Sequence, residues 1–332
     1  MVISIIMCCI LICYILLNKN NTINTIHVEQ STYLKGIMAI CVVLHHLSQK
    51  TETIFSIFND FGAIAVGCFF FISGYGLFAS YNKKGQAYLV GYPKKRFKKL
   101  LIPFLLVIVL YQIITKFKFL NILYENIVSG NVDPILPHSW YIFCAILFYF
   151  IFYIIFTITQ NKVLGIIIIY GFTTLLFCSV LLIHWNEYWC KSLYLFPMGI
   201  TYKYIENKIL NKSSLWIVAI LFIILTTIIS LYTLQFKHMG LCLANIAPYI
   251  FILPLTVIPI SSKFLNYLGD ISYEIYLVQG VVFYIFRNNL IYIKSDYIFI
   301  FVSLIGIITL AFIIKNILNK IEYFSYINKN NK

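Results

Sequence analysis

Three stretches of this chain hold residues whose type and spacing could do chemistry. The first, Tyr33-Leu34-Lys35-Gly36-Ile37-Met38-Ala39-Ile40-Cys41-Val42-Val43-Leu44-His45-His46, sets one cation and two adjacent histidines into an apolar run. Eleven helical steps of about 100° make three turns plus about 20°, so Lys35 and His46 share a face, about 16 Å apart along the axis. With Lys35 at the inner boundary, His46 is expected near mid-depth of a hydrocarbon core about 30 Å thick. His45 lies about 100° further round. Ionisable groups at such depth mark functional sites by default, and histidine is the side chain best suited to take a hydroxyl proton near neutral pH. The competing reading is a buried histidine satisfied by a neighbouring helix.

The second stretch is Lys95-Arg96-Phe97-Lys98-Lys99-Leu100-Leu101-Ile102-Pro103. Arg96 and Lys99 stand at i,i+3 and point the same way at a helix start, with Pro103 marking a first turn or a kink. The third is Gly269-Asp270-Ile271-Ser272-Tyr273-Glu274-Ile275-Tyr276-Leu277-Val278-Gln279-Gly280. Asp270 and Glu274 are one turn apart; Asp270 can act as a cap, whereas Glu274 is the one acid read as lying well inside an apolar run.

These residues need a scaffold, and composition dictates which. Of 332 residues 61% are apolar and 11% charged, against about 25% charged in average soluble domains. That excludes a soluble globular enzyme and a disordered chain. The expected fold is all-α, a polytopic membrane helix bundle. Spans are expected at 2–17, 34–49, 62–80, 100–116, 140–159, 163–183, 214–234, 240–260, 271–291 and 297–318, with a shorter one at 192–205. Their length and lack of strict alternation disfavour barrel strands. This gives ten core transmembrane helices plus one extra N-terminal helix: an N-terminal helix in 1–22 and a membrane domain over 30–320. The first run lacks a preceding positive charge and a small-residue cleavage pattern, so a retained helix is expected, not a signal peptide. Residues 117–139, with Asp133-Pro134 and Pro137, read as a turn-rich loop.

Charge sets orientation. The net +14 arises from 25 basic residues against 11 acids, and seven of the cations (Lys83, Lys84, Lys94, Lys95, Arg96, Lys98, Lys99) fall in the acid-free segment 81–99. Positively charged short loops stay in the cytoplasm, which places this loop and the C-terminus inside and the N-terminus outside. Topology and contact with anionic lipid suffice to explain such a loop; a cytosolic phosphate-bearing ligand is the sharper reading. A nucleic-acid partner is not expected, since no basic folded module lies outside the membrane.

Taken together, these stretches resemble the acyltransferase-3 family of integral membrane acyltransferases, which includes peptidoglycan and polysaccharide O-acetyltransferases. The family's Arg-x10-His is matched by Lys35 and His46, and its Phe-Phe-x-x-Ser-Gly by Phe69-Phe70-Phe71-Ile72-Ser73-Gly74-Tyr75. Its Arg-x-x-Arg before Leu-x-x-Pro is matched by Arg96, Lys99 and the run to Pro103. His138-Ser139-Trp140-Tyr141-Ile142, Phe196-Pro197-Met198-Gly199 and Ser272-Tyr273-Glu274-Ile275-Tyr276-Leu277 are similar to later family motifs. The matches follow family order from about residue 30 to 320. Lys35 and Lys99 replace arginines, and Gln279 stands where the late motif often has histidine. Lysine keeps the charge but loses the bidentate fork, in a chain with 23 lysines and two arginines.

The resemblance implies transfer of an acyl group, acetyl first among them, from cytosolic acyl-CoA to a hydroxyl of an extracytoplasmic or lipid-linked glycan in the cell envelope. In that picture His46, with His45 and Glu274, is catalytic. Lys35, Lys95, Arg96 and Lys99 hold the CoA phosphates, while Ser73, Trp140, Ser272, Tyr273, Tyr276 and Gln279 belong to substrate or structural motifs. Acetyl-CoA enters as co-substrate, with no tightly bound cofactor. The rival reading is a transporter or flippase, since midplane charges and proline-broken helices also occur there; a glycan polymerase is disfavoured for want of a long outer loop. No metal is expected, because His45, His46, His138, His184 and His238 lack ligand-like spacing. The nine cysteines lack a CxxC pair and read as packing residues, with Cys178 and Cys190 expected to stay unpaired.

Overall fold

Apolar runs in lipid must satisfy their backbone hydrogen bonds internally, which drives them into helices. A computed structural model describes residues 25–59, 61–115, 136–183, 187–209, 248–252, 262–287 and 290–330. Its helices are α1 (Val28–Ser48), α2 (Phe61–Lys84), α3 (Tyr92–Ile114), α4 (Trp140–Ile158), α5 (Lys162–Leu182), α6 (Leu195–Ile209), α7 (Pro248–Ile252), α8 (Lys263–Asp270), α9 (Ser272–Arg287) and α10 (Asp296–Asn330). Short 3-10 turns at Ile54–Phe58, Gly85–Tyr88 and Glu187–Trp189 lie between them. Among the described residues there is no strand, only an isolated bridge between Arg287 and Tyr292. The N-terminal segment 1–22, the run 214–234, most of 240–260 and most of the loop 117–139 lie outside the described residues.

Five of the described helices are long and apolar enough to cross a membrane: Phe61–Tyr88, Tyr92–Ile114, Trp140–Ile158, Lys162–Leu182 and Asp296–Ile321. α2 is the most enclosed of them and packs against α1, α6 and α7, while α9 packs against α1, α3 and α10. α1 buries the polar residues Thr32, His46 and Ser48, and α9 buries Ser272, Glu274 and Gln279.

Two crossings bring backbones into contact. A Cβ added at Gly74 of α2 would collide with the Phe196 carbonyl of α6, and one at Gly199 of α6 would collide with the Phe71 carbonyl of α2. The glycines are thus reciprocal, each admitting the other helix's backbone, as small residues do in membrane bundles. At the α1–α8 crossing a Cβ at Gly269 would strike the Thr32 carbonyl, and one at Gly36 would lie 2.8 Å from the Gly269 nitrogen.

Helix boundaries differ from the hydropathy reading in three places. α3 begins at Tyr92, not at residue 100, because Gly91 turns the chain at φ 71° and Pro93 suits a first helical turn. Lys94 to Lys99 are therefore helical, and the connection narrows to 85–91, which carries no cation; the seven basic residues of 81–99 sit on the helix ends either side of it. α10 continues past 318 to Asn330. α1 begins at Val28, six residues before the expected 34, and ends at Ser48, with His46 in its last turn.

Candidate active site

At one end of the bundle, the first turns of α3 and the corner before it form a cleft of about 400 Å³ lined by Lys84, Tyr88, Tyr92, Lys95, Arg96 and Lys99. The Arg96 Nη2 donates to Tyr88 Oη at 2.8 Å, which fixes the guanidinium at the cleft wall. Tyr92 stacks in parallel on Tyr153 of α4, with centroids 5.7 Å apart. Lys35 of α1 lies within electrostatic reach of Arg96, Asp270 and Lys315. Lys315, from α10, donates to Glu274 Oε1 at 3.2 Å. Glu274 is 2% exposed, and its second oxygen has no partner among the described residues. Glu274 thus belongs with Lys35 and Lys315, and the charged groups acting on His46 do not include it.

The opposite end of α1 holds a histidine cluster. His46 is 9% exposed, and its ring stacks on His138 with centroids 3.7 Å apart and planes inclined by 22°. The His45 ring centroid is 4.8 Å from that of His46. The His46 Nδ1 lies 3.3 Å from Gln49 Oε1, His45 Nε2 lies 3.2 Å from Gln49 Nε2, and His45 Nδ1 lies 3.3 Å from the Phe58 carbonyl oxygen. Burial, with Lys50 and His45 nearby, lowers the His138 pKa to about 4, so this ring is neutral at physiological pH. Stacked rings present faces, not convergent lone pairs, to one another. Among the described residues no group of three or more His, Cys, Asp or Glu is arranged to hold a metal ion.

Three hydroxyls from the start of α9 hold this arrangement by donating to backbone carbonyls on three other elements. Ser272 Oγ donates to Gly269 O at 2.8 Å, Tyr273 Oη to Leu100 O at 2.8 Å, and Tyr276 Oη to His138 O. Leu100 is next to Lys99, whose carbonyl loses its helical donor to Pro103. His138 itself adopts φ 67°, a conformation uncommon outside glycine, and the Tyr276 hydroxyl fastens the carbonyl of that turn. Gln279 is fully buried and donates to the Tyr276 carbonyl at 3.0 Å.

Between the two ends runs a series of hydroxyl-bearing side chains. Tyr149 and Tyr92 lie within electrostatic reach of Arg96, and Tyr149 Oη donates to Ser73 Oγ at 3.2 Å. Ser73 also lies within reach of Tyr141, whose ring meets Tyr276 edge-on at 5.4 Å. Ser73 therefore stands between two tyrosines. Trp140 is buried in an aromatic cluster with Tyr188 and Trp189. Cys178 and Cys190 are both free thiols.

His138, Gln49, Tyr141, Tyr149 and Lys315 were not among the residues singled out from the sequence as site residues. His138 stood inside a recognised motif, but nothing in the spacing tied it to His46. A second buried acid also escaped: Glu206 of α6 is 1% exposed, accepts from Tyr75 Oη at 2.7 Å and pairs with Lys203. Glu274 is thus not the only acid inside the bundle.

A family model described as an acyltransferase domain, that of the acyltransferase-3 family, matches residues 28–316. No curated protein and no solved structure matches the chain.

Proposed function

The chain belongs to the acyltransferase-3 family, and from that premise we propose that it is a membrane O-acyltransferase using cytosolic acyl-CoA, with acetyl the transferred group. The acceptor is a hydroxyl of an extracytoplasmic or lipid-linked glycan of the cell envelope. In this reading the full chain has ten core transmembrane helices and an N-terminal extra, with the 81–99 corner and the C-terminus in the cytoplasm.

The observation that carries the proposal is the course of contacts from Arg96 through Tyr149, Ser73, Tyr141 and Tyr276 to His138 and His46. A cationic cleft stands at one end and a histidine base at the other. Along α1, Lys35 and His46 are about 16 Å apart, comparable to the extended pantetheine arm that joins the phosphates of CoA to its thioester. Arg96, with Lys95, Lys99 and Lys35, holds the phosphates by charge-assisted hydrogen bonds, and the tyrosines line the arm.

His46 then takes the proton of the acceptor hydroxyl as that oxygen bonds to the acyl carbonyl carbon. Collapse of the tetrahedral intermediate breaks the carbon–sulfur bond, and the departing CoA thiolate receives the proton from the imidazolium. The products are the glycan ester and free CoA. The stacked, neutral His138 holds the His46 ring plane without adding a second fixed charge. At the donor end Asp270 offsets the charge of Lys35, and Glu274 offsets that of Lys315.

The test uses the full chain in lipid nanodiscs with radiolabelled acetyl-CoA and a crude envelope-glycan fraction. The expected result is label in the glycan with one equivalent of free CoA thiol per acetyl transferred. Movement of glycan or solute without acyl change supports the transporter reading and contradicts this one.

A further inference from the structure

Resting on the assignment of His46 as the base, we propose that the Phe58 carbonyl, His45 and Gln49 form a relay that fixes His46 in its Nδ1–H tautomer and leaves Nε2 as the lone-pair nitrogen. Gln49 is then a positioning residue, and His45 acts through it without touching substrate.

The direction of every bond follows from one fixed end. A backbone carbonyl oxygen can only accept, so the contact of Phe58 O with His45 Nδ1 at 3.3 Å requires the His45 proton to be on Nδ1. The Nε2 of neutral His45 is then an acceptor, and the atom facing it at 3.2 Å is the Gln49 amide nitrogen, which can only donate. That orients the amide. Its oxygen, an acceptor only, lies 3.3 Å from His46 Nδ1, which must carry a hydrogen. The remaining nitrogen of His46, Nε2, holds the in-plane lone pair. Stacking on His138 uses the ring face and does not consume that lone pair.

Placement along α1 makes this possible. Gln49 is the residue at the C-terminal cap of the helix, three positions from His46 and four from His45, the two spacings at which helical side chains meet. One amide therefore bridges both rings. Gly62 of α2 supplies the space for the His45 ring: a Cβ there would lie 2.6 Å from His45 Nε2. Two independent positions thus control the relay, Gln49 in the middle and Gly62 at its His45 end.

The experiment records nitrogen-15 spectra of histidine-labelled full-length protein in nanodiscs, with the His46 signals assigned by difference from His46→Ala. It pairs them with acetyl-CoA turnover on the envelope-glycan fraction. In the native protein His46 Nδ1 is expected to be protonated and Nε2 unprotonated. Gln49→Leu should bring in the second tautomer and lower kcat on the order of tenfold, with KM for acetyl-CoA changed by no more than about twofold. Gly62→Ala should shift the tautomer in the same sense. Gln49→Glu keeps an acceptor at His46 Nδ1, so it should retain the Nδ1–H form and most of kcat, with the acid limb of the pH–kcat profile shifted by the new carboxylate. A single Nδ1–H tautomer in Gln49→Leu, native His46 protonated at Nε2, or a tautomer change without loss of kcat overturns the relay. Turnover by His46→Ala at the native rate instead overturns the assignment of the base, whatever the tautomer.

Discussion

The rings of His46 and His138 lie face to face at 3.7 Å, joining the last turn of α1 to the turn that opens α4. Neither residue is held by its own helix alone. His138 stays in its left-handed turn with its carbonyl bound by the Tyr276 hydroxyl, so α9 sets the position of a ring that stacks on α1.

Tyr276→Phe removes that hydroxyl and leaves the carbonyl of His138 without it. A hydrogen bond of this kind contributes about 0.5–1.5 kcal/mol. Turnover on acetyl-CoA should fall by about tenfold or less, through kcat with KM for the donor unchanged. Steady-state kinetics on both proteins check this; a change confined to KM contradicts it.

His138 makes stability depend on pH. Its folded pKa of about 4 lies below the ordinary histidine value of about 6.5, so between those values the unfolded chain binds more protons than the folded one. Stability from this residue is complete above the unfolded pKa and declines as pH falls towards 4, where the loss levels off. Thermal unfolding in detergent from pH 7 to pH 4 should show a smaller decline in His138→Asn, which tolerates the same backbone conformation. Equal declines in the two proteins count against it.

Arg96→Gln should raise the KM for acetyl-CoA on the order of tenfold by removing a charge-assisted contact at the cleft, with little effect on kcat. Lys83→Gln, whose side chain does not line the cleft, is the control. Equal effects of the two substitutions mean that net charge, not the cleft, governs donor affinity.

Gly74→Ala and Gly199→Ala should each destabilise the bundle by about 1–3 kcal/mol or more, since the new methyl meets a facing carbonyl that cannot retreat without parting α2 from α6. Melting of the detergent-solubilised protein reads this directly. Gly76→Ala on the same helix, where a Cβ meets nothing within 4 Å, should be neutral or mildly stabilising.

The helical class and the Lys35–His46 relation were legible because both depend on local period: an apolar run long enough to span, and eleven residues that return to one face. The partners of His46 were not. His138 arrives from a loop-borne turn, and its position against α1 depends on α9 supplying Tyr276. Gln49 looks like an ordinary polar residue at a helix end until its amide is seen between two rings. Glu206 shows the same limit: its i,i+3 spacing to Lys203 gives no sign of burial. The close approach allowed by Gly74 and Gly199 buries it instead against Tyr75. Glu274 stood out in the apolar pattern, yet its partner Lys315 lies far along the chain on α10.

The central claim is that His46 is the base for acyl transfer. The most direct measurement is incorporation of labelled acetyl from acetyl-CoA into the envelope-glycan fraction by His46→Ala, compared with the native chain at equal amounts of folded protein in nanodiscs. Loss of a general base should lower the rate by about 10²–10⁴-fold. Incorporation by His46→Ala at the native rate would contradict the account.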